Sequence, residues 1–327
     1  VSLAKLVVGG ASGTQKLYST SSPIDFANTS QISGGGTIEI YSTTLGHAGV
    51  TLVNNGKIQL YYNNTLPLII NNNDTIRVSH SGNYITGTLN NSASGVLYMD
   101  CSASHASLYF TGNQVNNGTY TLGSTTGYTA YLYMNNSSVL TNNSTINFST
   151  GLGGARYIIG SINNAASGLM NVNQNTYLQG TANSTNNGTI NIGATYFFSL
   201  YSNSTLTQAA GSLTGSGLLR VESNSVFTFN GGTVSIPRIY ASSATLNMNA
   251  GFPTLYYELY TVTLSSSAAS ITNNDTIHLN YNNTISANLI NSSSGVIKVS
   301  HSGNYINGSF ANNASGKIIF DCASSHA

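Results

Sequence analysis

The sequence predicts an all-β fold, a single-stranded parallel β-helix (β-solenoid) of about 13–14 coils of roughly 21 residues each. Three observations carry this expectation. A turn residue, usually Gly after Asn-Asn or Ser, recurs thirteen times, at Gly36, Gly56, Asp74, Gly95, Gly118, Ser144, Gly168, Gly188, Gly217, Gly232, Asp275, Gly295 and Gly316. The second and fourth residues after each are apolar, and the one between them is polar or Tyr in twelve of the thirteen. Asn, Ser, Thr and Gly replace helix formers, and these residues either compete with the helical backbone for hydrogen bonds or lose too much chain entropy in a helix.

Residues 1–29 precede the first anchor and read as an N-terminal strand or cap region that can link subunits; residues 30–327 read as one continuous solenoid. From Gly36 onward the alternation assigns one wet and one buried face to each strand, because successive side chains in a strand point to opposite sides. Stacking the coils in parallel sets Ile38, Ile58, Ile76, Leu97, Tyr120, Ile146, Met170, Ile190, Leu219, Val234, Ile277, Ile297 and Ile318 into one expected column. The 43-residue gap between Gly232 and Asp275 has room for two further coils. Asn and Gly suit the corners, since both tolerate the left-handed backbone. The pairs Asn54-Asn55, Asn116-Asn117, Asn142-Asn143, Asn186-Asn187 and Asn273-Asn274 either serve as turn formers only or add amide ladders along the stack.

Composition narrows the function classes. Charged residues make up 5% of the chain, the net charge is +1, and the nine Lys and Arg are scattered, so no basic patch exists to hold nucleic acid. No apolar run approaches the roughly 20 residues of a membrane span. The opening, Val1-Ser2-Leu3-Ala4-Lys5-Leu6, reads as that of a processed or excised piece. A surface wetted by hydroxyls, amides and 21 Tyr suits extracellular or cell-surface material. Eighteen Asn-X-Ser/Thr sites include the candidate glycosylation sites Asn28, Asn63, Asn73, Asn90, Asn117, Asn187, Asn274 and Asn307.

A longer repeat overlies the coils. The module copy at residues 53–106 returns at 272–327, with 17 of 28 positions identical between Ser79–Ala106 and Ser300–Ala327. Tandem copying of this kind builds fibres and arrays, whereas an enzyme needs one site. The last coil of the second copy is expected to leave an open strand edge, completed by Val1–Val8 of another subunit or by the next module of a longer polypeptide, giving a head-to-tail homopolymer.

Cys101 and Cys322 hold equivalent places in the two copies, about ten coils apart and too distant to pair within the chain. Three readings stay open for them: buried free thiols, intermolecular disulfides, or metal ligands. The metal candidates are His80, Cys101 and His105 in one copy and His301, Cys322 and His326 in the other, since stacking sets His80 beside Cys101 and His301 beside Cys322. A fourth ligand is missing from each set. No catalytic residue is assigned: Asp74 and Asp275 occupy turn anchors, Asp100 and Asp321 point outward in different modules, and neighbouring coils supply no carboxylate pair. No phosphate loop, nucleophile elbow or dinucleotide fingerprint occurs, and no cofactor is expected. Thr-X-Thr occurs in the aligned strands only at Thr119-Tyr120-Thr121, too little for an ice-binding lattice.

With coils spelled Asn-Asn-Gly-Thr-Ile at Asn186–Ile190 and Asn-Asn-Asp-Thr-Ile at Asn273–Ile277, the chain resembles parallel β-helix surface proteins: autotransporter passengers, filamentous adhesins and extracellular sheath or fibre proteins. The resemblance covers nearly all of residues 30–327 and implies the fold and an extracellular setting, with no catalytic residue to transfer. The expected function is that of a structural subunit of an extracellular filament, sheath or coat. The alternative is an adhesin that binds glycans or surfaces, with outward Tyr such as Tyr41, Tyr61 and Tyr62 stacking on sugar rings.

Overall fold

The computed structural model describes residues 2–10, 15–101, 103–135, 137–151, 153–181 and 183–321. Among these residues there is no helix, and so none long and apolar enough to cross a membrane. The chain forms two compact units, Val1–Thr176 and Tyr177–Ala327, each a parallel β-solenoid.

In the first unit the coils contribute short strands to three parallel stacks, the second of which begins as isolated bridges of Ile24 with Leu45 and Thr44 with Thr65. The first stack runs through Gln15–Thr20, Gly36–Tyr41, Lys57–Leu60, Thr75–Val78, Val96–Asp100, Thr119–Gly123, Thr145–Phe148 and Leu169–Val172. Its register is the expected one: Ile38, Ile58, Ile76, Leu97, Tyr120, Ile146 and Met170 lie one above another, each at most 1% exposed. The second stack holds Thr65–Leu66, Asn83–Ile85, Ala106–Phe110, Ala130–Met134 and Arg156–Ile159. The third runs from Val7–Val8 through Ser30–Ile32, Thr51–Asn54, Ile69–Asn72, Leu89–Asn91, Gln114–Asn116 and Val139–Asn142 to Ser161–Asn164. Residues before the first anchor already carry strands laid on the next coil, with Ser2–Leu3 against Asp25–Phe26 and Gln15–Thr20 against Gly36–Tyr41.

The anchors have a steric meaning. A Cβ on Gly118 would sit 2.2 Å from the carbonyl oxygens of Ser92 and Gly95 in the coil beneath, so only glycine lets the backbones approach this closely.

The second unit corrects the single column expected from the sequence. Ile190 lies on Leu213 and then Val234, whereas Leu219 belongs to another stack, between Phe198 and Ile239. That second column continues through Tyr257, Ile277, Ile297 and Ile318. The cause is that all the strands of a coil start from similar turns; the 29-residue step from Gly188 to Gly217 is one coil plus one further strand. The gap after Gly232 does hold two coils, built from the long bent strands Arg238–Met248 and Tyr256–Ser265, each wide enough to serve two stacks.

Candidate functional site

Polar side chains repeat along the stack as faithfully as the core does. Asn54, Asn72, Asn91, Asn116, Asn142 and Asn164 point inward, each at most 1% exposed, and each Nδ2 donates to the Oδ1 of the next at 2.6, 2.7, 2.9, 2.9 and 2.8 Å. The second amide hydrogen goes to a backbone carbonyl, as from Asn116 to Thr145 at 3.0 Å. Within the second unit Asn273, Asn291 and Asn312 repeat the pattern, at 2.8 Å for both steps. The ladder is directional: donors face the C-terminal side of every coil. The second Asn of a pair makes a solvent-side rung, as from Asn143 to Asn117 at 2.9 Å. The Asn-Asn pairs are therefore both turn formers and ladders.

The module repeat is preserved at the level of side-chain pairs. In the first copy Gln59 donates to Ser79 at 2.7 Å, Asn64 to Asn83 at 2.8 Å, the Tyr62 and His80 rings lie 4.0 Å apart, and Arg77 pairs with Asp100. In the second copy the counterparts are His278 with Ser300 at 2.7 Å, Asn283 with Asn304 at 2.8 Å, Tyr281 against His301 at 4.1 Å, and Lys298 with Asp321 at 2.9 Å.

Against this equivalence one difference stands out. In the first copy Leu97, Met99 and Leu89 are at most 1% exposed, because Tyr120, Leu122 and the next coil cover them. Their counterparts Ile318, Phe320 and Phe310 are 41%, 67% and 39% exposed. Together with Leu279, Ile297, Val299 and Ile306 they line an apolar cavity of about 480 Å³ on the outer side of the coil. Asn312 is also exposed there; its Nδ2 donates to the Gly316 carbonyl at 2.9 Å, as Asn91 does to Gly95 at 3.0 Å. The hydrogen that Asn91 gives to Asn116 has no such acceptor at Asn312 among the described residues. This coil presents core side chains, a strand edge and an amide donor to whatever lies beyond it.

The metal candidates are not brought together. Strand pairing ends at Val78 opposite Met99, and the His80 ring turns onto Tyr62, its Nδ1 buried without a partner among the described residues. The Cys101 Sγ donates to the Thr129 carbonyl at 3.3 Å, while the Thr129 N–H donates to His105 Nδ1 at 3.0 Å, so both groups are engaged by the backbone of Thr129. No metal-ligating cluster occurs among the described residues. Burial pushes the Cys101 thiol up to about 11, and the side chain is fully buried. Within the single chain Cys101 is a buried free thiol. His301 packs on Tyr281; Cys322 and His326 lie outside the described residues.

Among the sequons, Asn28, Asn63, Asn90, Asn117, Asn274 and Asn307 are exposed, and Asn73 and Asn187 are half-buried. The nitrogen that would carry a glycan is already hydrogen-bonded at Asn28, Asn73 and Asn90. Tyr41 and Tyr61 stack on each other at 3.9 Å and 8°, so each offers the other a face that a sugar would need.

Sequence reasoning missed a charged stripe in the second unit. Register sets Arg220, Tyr240, Glu258, His278 and Lys298 in one outward column. Arg220 lies 4.7 Å from the Phe197 ring centre and 5.2 Å from that of Tyr240, and pairs with Glu222 at 2.6 Å. Arg238 pairs with Glu258 at 3.0 Å, and Tyr260 donates to the same carboxylate at 2.9 Å. Each carboxylate is thus held by its own cation, an arrangement that stabilises the face and leaves no carboxylate pair poised for acid–base work. The signal was an 18-residue step from Tyr240 to Glu258 in the stretch without turn anchors.

Compared with protein-family models, with curated proteins and with solved structures, the chain gives no match in any of the three.

Proposed function

We propose that the chain is a structural subunit of an extracellular filament, sheath or coat, assembling by the stacking of solenoid ends. The observation that carries this reading is the duplicated module, whose inward amide ladder and side-chain pairs repeat in both copies. The exposed coil at 296–320 fits another coil of the same kind, from a further subunit or from the next module of a longer polypeptide, because the first copy covers the same surface with one. At about 2 kcal/mol for a fully exposed large apolar side chain removed from water, Phe310, Ile318 and Phe320, which are 39%, 41% and 67% exposed, contribute about 3 kcal/mol. That is less than the cost of immobilising a partner, so backbone pairing along the edge and the Asn312 amide have to complete the joint.

The low charge, the laddered surface and the module duplication support a repetitive, extracellular assembly over catalysis. The stacked tyrosines weigh against glycan adhesion, since sugar stacking needs ring faces and these are turned to one another. Electron microscopy and sedimentation velocity of the purified chain test the proposal. Linear particles whose length grows with concentration are expected, and the double substitution Ile318→Lys and Phe320→Lys, with unchanged circular dichroism, is expected to abolish them. Discrete monomers at high protein concentration overturn the reading.

A further inference from the structure

On the second stack of the first unit, five tyrosines gather on the outward face of three neighbouring coils and the coil beyond. Parallel register places Tyr84, Tyr109 and Tyr133 in one column and Tyr131 and Tyr157 in the next. The rings stack nearly flat: Tyr84 on Tyr109 at 4.6 Å and 15°, Tyr109 on Tyr133 at 4.2 Å and 9°, Tyr131 on Tyr157 at 4.9 Å and 17°. Tyr131 and Tyr133 bridge the two columns at 6.0 Å. All five reach the surface, Tyr84 at 37% exposure and the others half-buried. Thr65 and Ile159 bound the first column, and Ser107 bounds the second on the N-terminal side.

Such a cluster is larger than strand propensity requires. A cross-strand aromatic pair stabilises a sheet by its contact alone, and Phe or Thr would serve the outward face as well. What tyrosine adds is a phenolic O–H, and these phenols are in mutual contact and accessible to solutes. Burial first, and then the neighbouring Tyr109 phenol, raise Tyr133 to about 12. A phenol that carries its hydroxyl hydrogen can lose an electron together with that proton.

We propose that this array is an oxidative modification site, at which a peroxidase with hydrogen peroxide joins neighbouring tyrosines of one chain into dityrosine, Tyr109 with Tyr133 foremost. Each phenol gives up one electron and its hydroxyl proton, leaving two phenoxyl radicals, and hydrogen peroxide takes both electrons and both protons to become two waters. The radicals join through one carbon–carbon bond between ring carbons ortho to oxygen. The hydrogen on each of those carbons then moves to its phenoxyl oxygen and restores the ring, so the product is two hydrogens lighter than the pair. The same geometry recurs at Tyr41 and Tyr61, at 3.9 Å and 8°, which makes that pair a second site of the same reaction. In the second unit Tyr177 and Tyr201 lie at 81° and Tyr240 and Tyr260 at 41°, arrangements that set the ring carbons apart. The consequence is a covalent rung between successive coils that are otherwise held by noncovalent contacts alone. This inference stands independently of whether the ends stack.

The test treats the purified full chain with horseradish peroxidase and hydrogen peroxide, then maps cross-linked peptides by mass spectrometry. A peptide containing Tyr109 joined to one containing Tyr133, two hydrogens lighter than their sum, is expected from the monomer band of a denaturing gel. Its yield should exceed that from the same chain in urea by at least about tenfold, because contact replaces diffusional encounter. Tyr133→Phe keeps the stack but has no phenol to oxidise; it should remove this product and leave the Tyr41–Tyr61 product in place. Yields no higher folded than unfolded, coupling of Tyr177 with Tyr201 as readily as of Tyr109 with Tyr133, or linkage found only between chains each overturn the proposal.

Discussion

Replacing Asn116 by Ala should cost far more than the same change one residue later. Asn116 is fully buried and makes four hydrogen bonds: it receives Asn91 Nδ2 at 2.9 Å and the Gly118 N–H at 3.1 Å, and donates to Asn142 Oδ1 at 2.9 Å and to the Thr145 carbonyl at 3.0 Å. At about 1 kcal/mol net for each buried bond the loss is about 4 kcal/mol, and the groups left unpaired push it higher. Asn117 is exposed and accepts one rung from Asn143 at 2.9 Å, so Asn117→Ala should cost no more than about 0.5 kcal/mol. Because solenoids open by parts, the assay is hydrogen exchange read locally, supported by urea melts. The Gly118 and Asn143 amides should lose protection by about a hundredfold or more in Asn116→Ala. Asn116→Asp adds a sign test. Burial raises a carboxyl's folded pKa, so that variant is most stable below about pH 4 and loses stability as pH rises. If Asn116→Ala melts within 1 kcal/mol of the native chain and Gly118 stays protected, the amide column is ornament and the argument from it fails.

Other perturbations have equally definite outcomes. Arg156 is fully buried and has no carboxylate partner among the described residues, its guanidinium donating to the carbonyls of Leu122 at 3.0 Å, Ser149 at 3.1 Å and also Gly154, so Arg156→Met should cost about 3–5 kcal/mol and loosen exchange in residues 122–130. Cys101, with its thiol pushed up to about 11, should resist iodoacetamide at pH 8 in the native chain and react at once in urea, as followed by mass. Burial lowers the His80 imidazole, so the fold favours its neutral form; stability is complete above about pH 6.5 and falls as pH drops, and His80→Phe should flatten the decline of the urea midpoint between pH 7 and pH 5.

How much of this was legible depended on which physical signal a residue carries. Alternation after a turn gave the strands and the full column from Ile38 to Met170, because inward volume and outward polarity are both written in residue type. The placement of Leu219 was not legible, since its strand opens with the same turn and alternation as that of Ile190 and differs only in which stack it joins. The Asn pairs announced themselves as turns. Which Asn points inward follows from the corner's backbone path, and that path is set by close approaches such as Gly118 on Gly95 that no single coil encodes.

The same ambiguity bears on function. Arg238 and Glu258 form their pair only because a long bent strand replaces the usual turn, so spacing counted between anchors passes over them. The Tyr109 and Tyr133 contact spans a step of 24 residues, longer than the average coil, which hid it among unremarkable outward positions. Sequence period reveals that coils stack, whereas chemistry between coils depends on corner length, residue by residue. A repeat protein with variable corners can therefore conserve its core column while moving ion pairs, amide rungs and phenols along the surface. The module itself carries a corner two residues longer at the Asn291 turn than at Asn72 and still keeps Tyr62 on His80 as Tyr281 on His301, so swapping these two corners should leave both the core register and these surface pairs intact, a result that peptide-level exchange on such a variant would read directly.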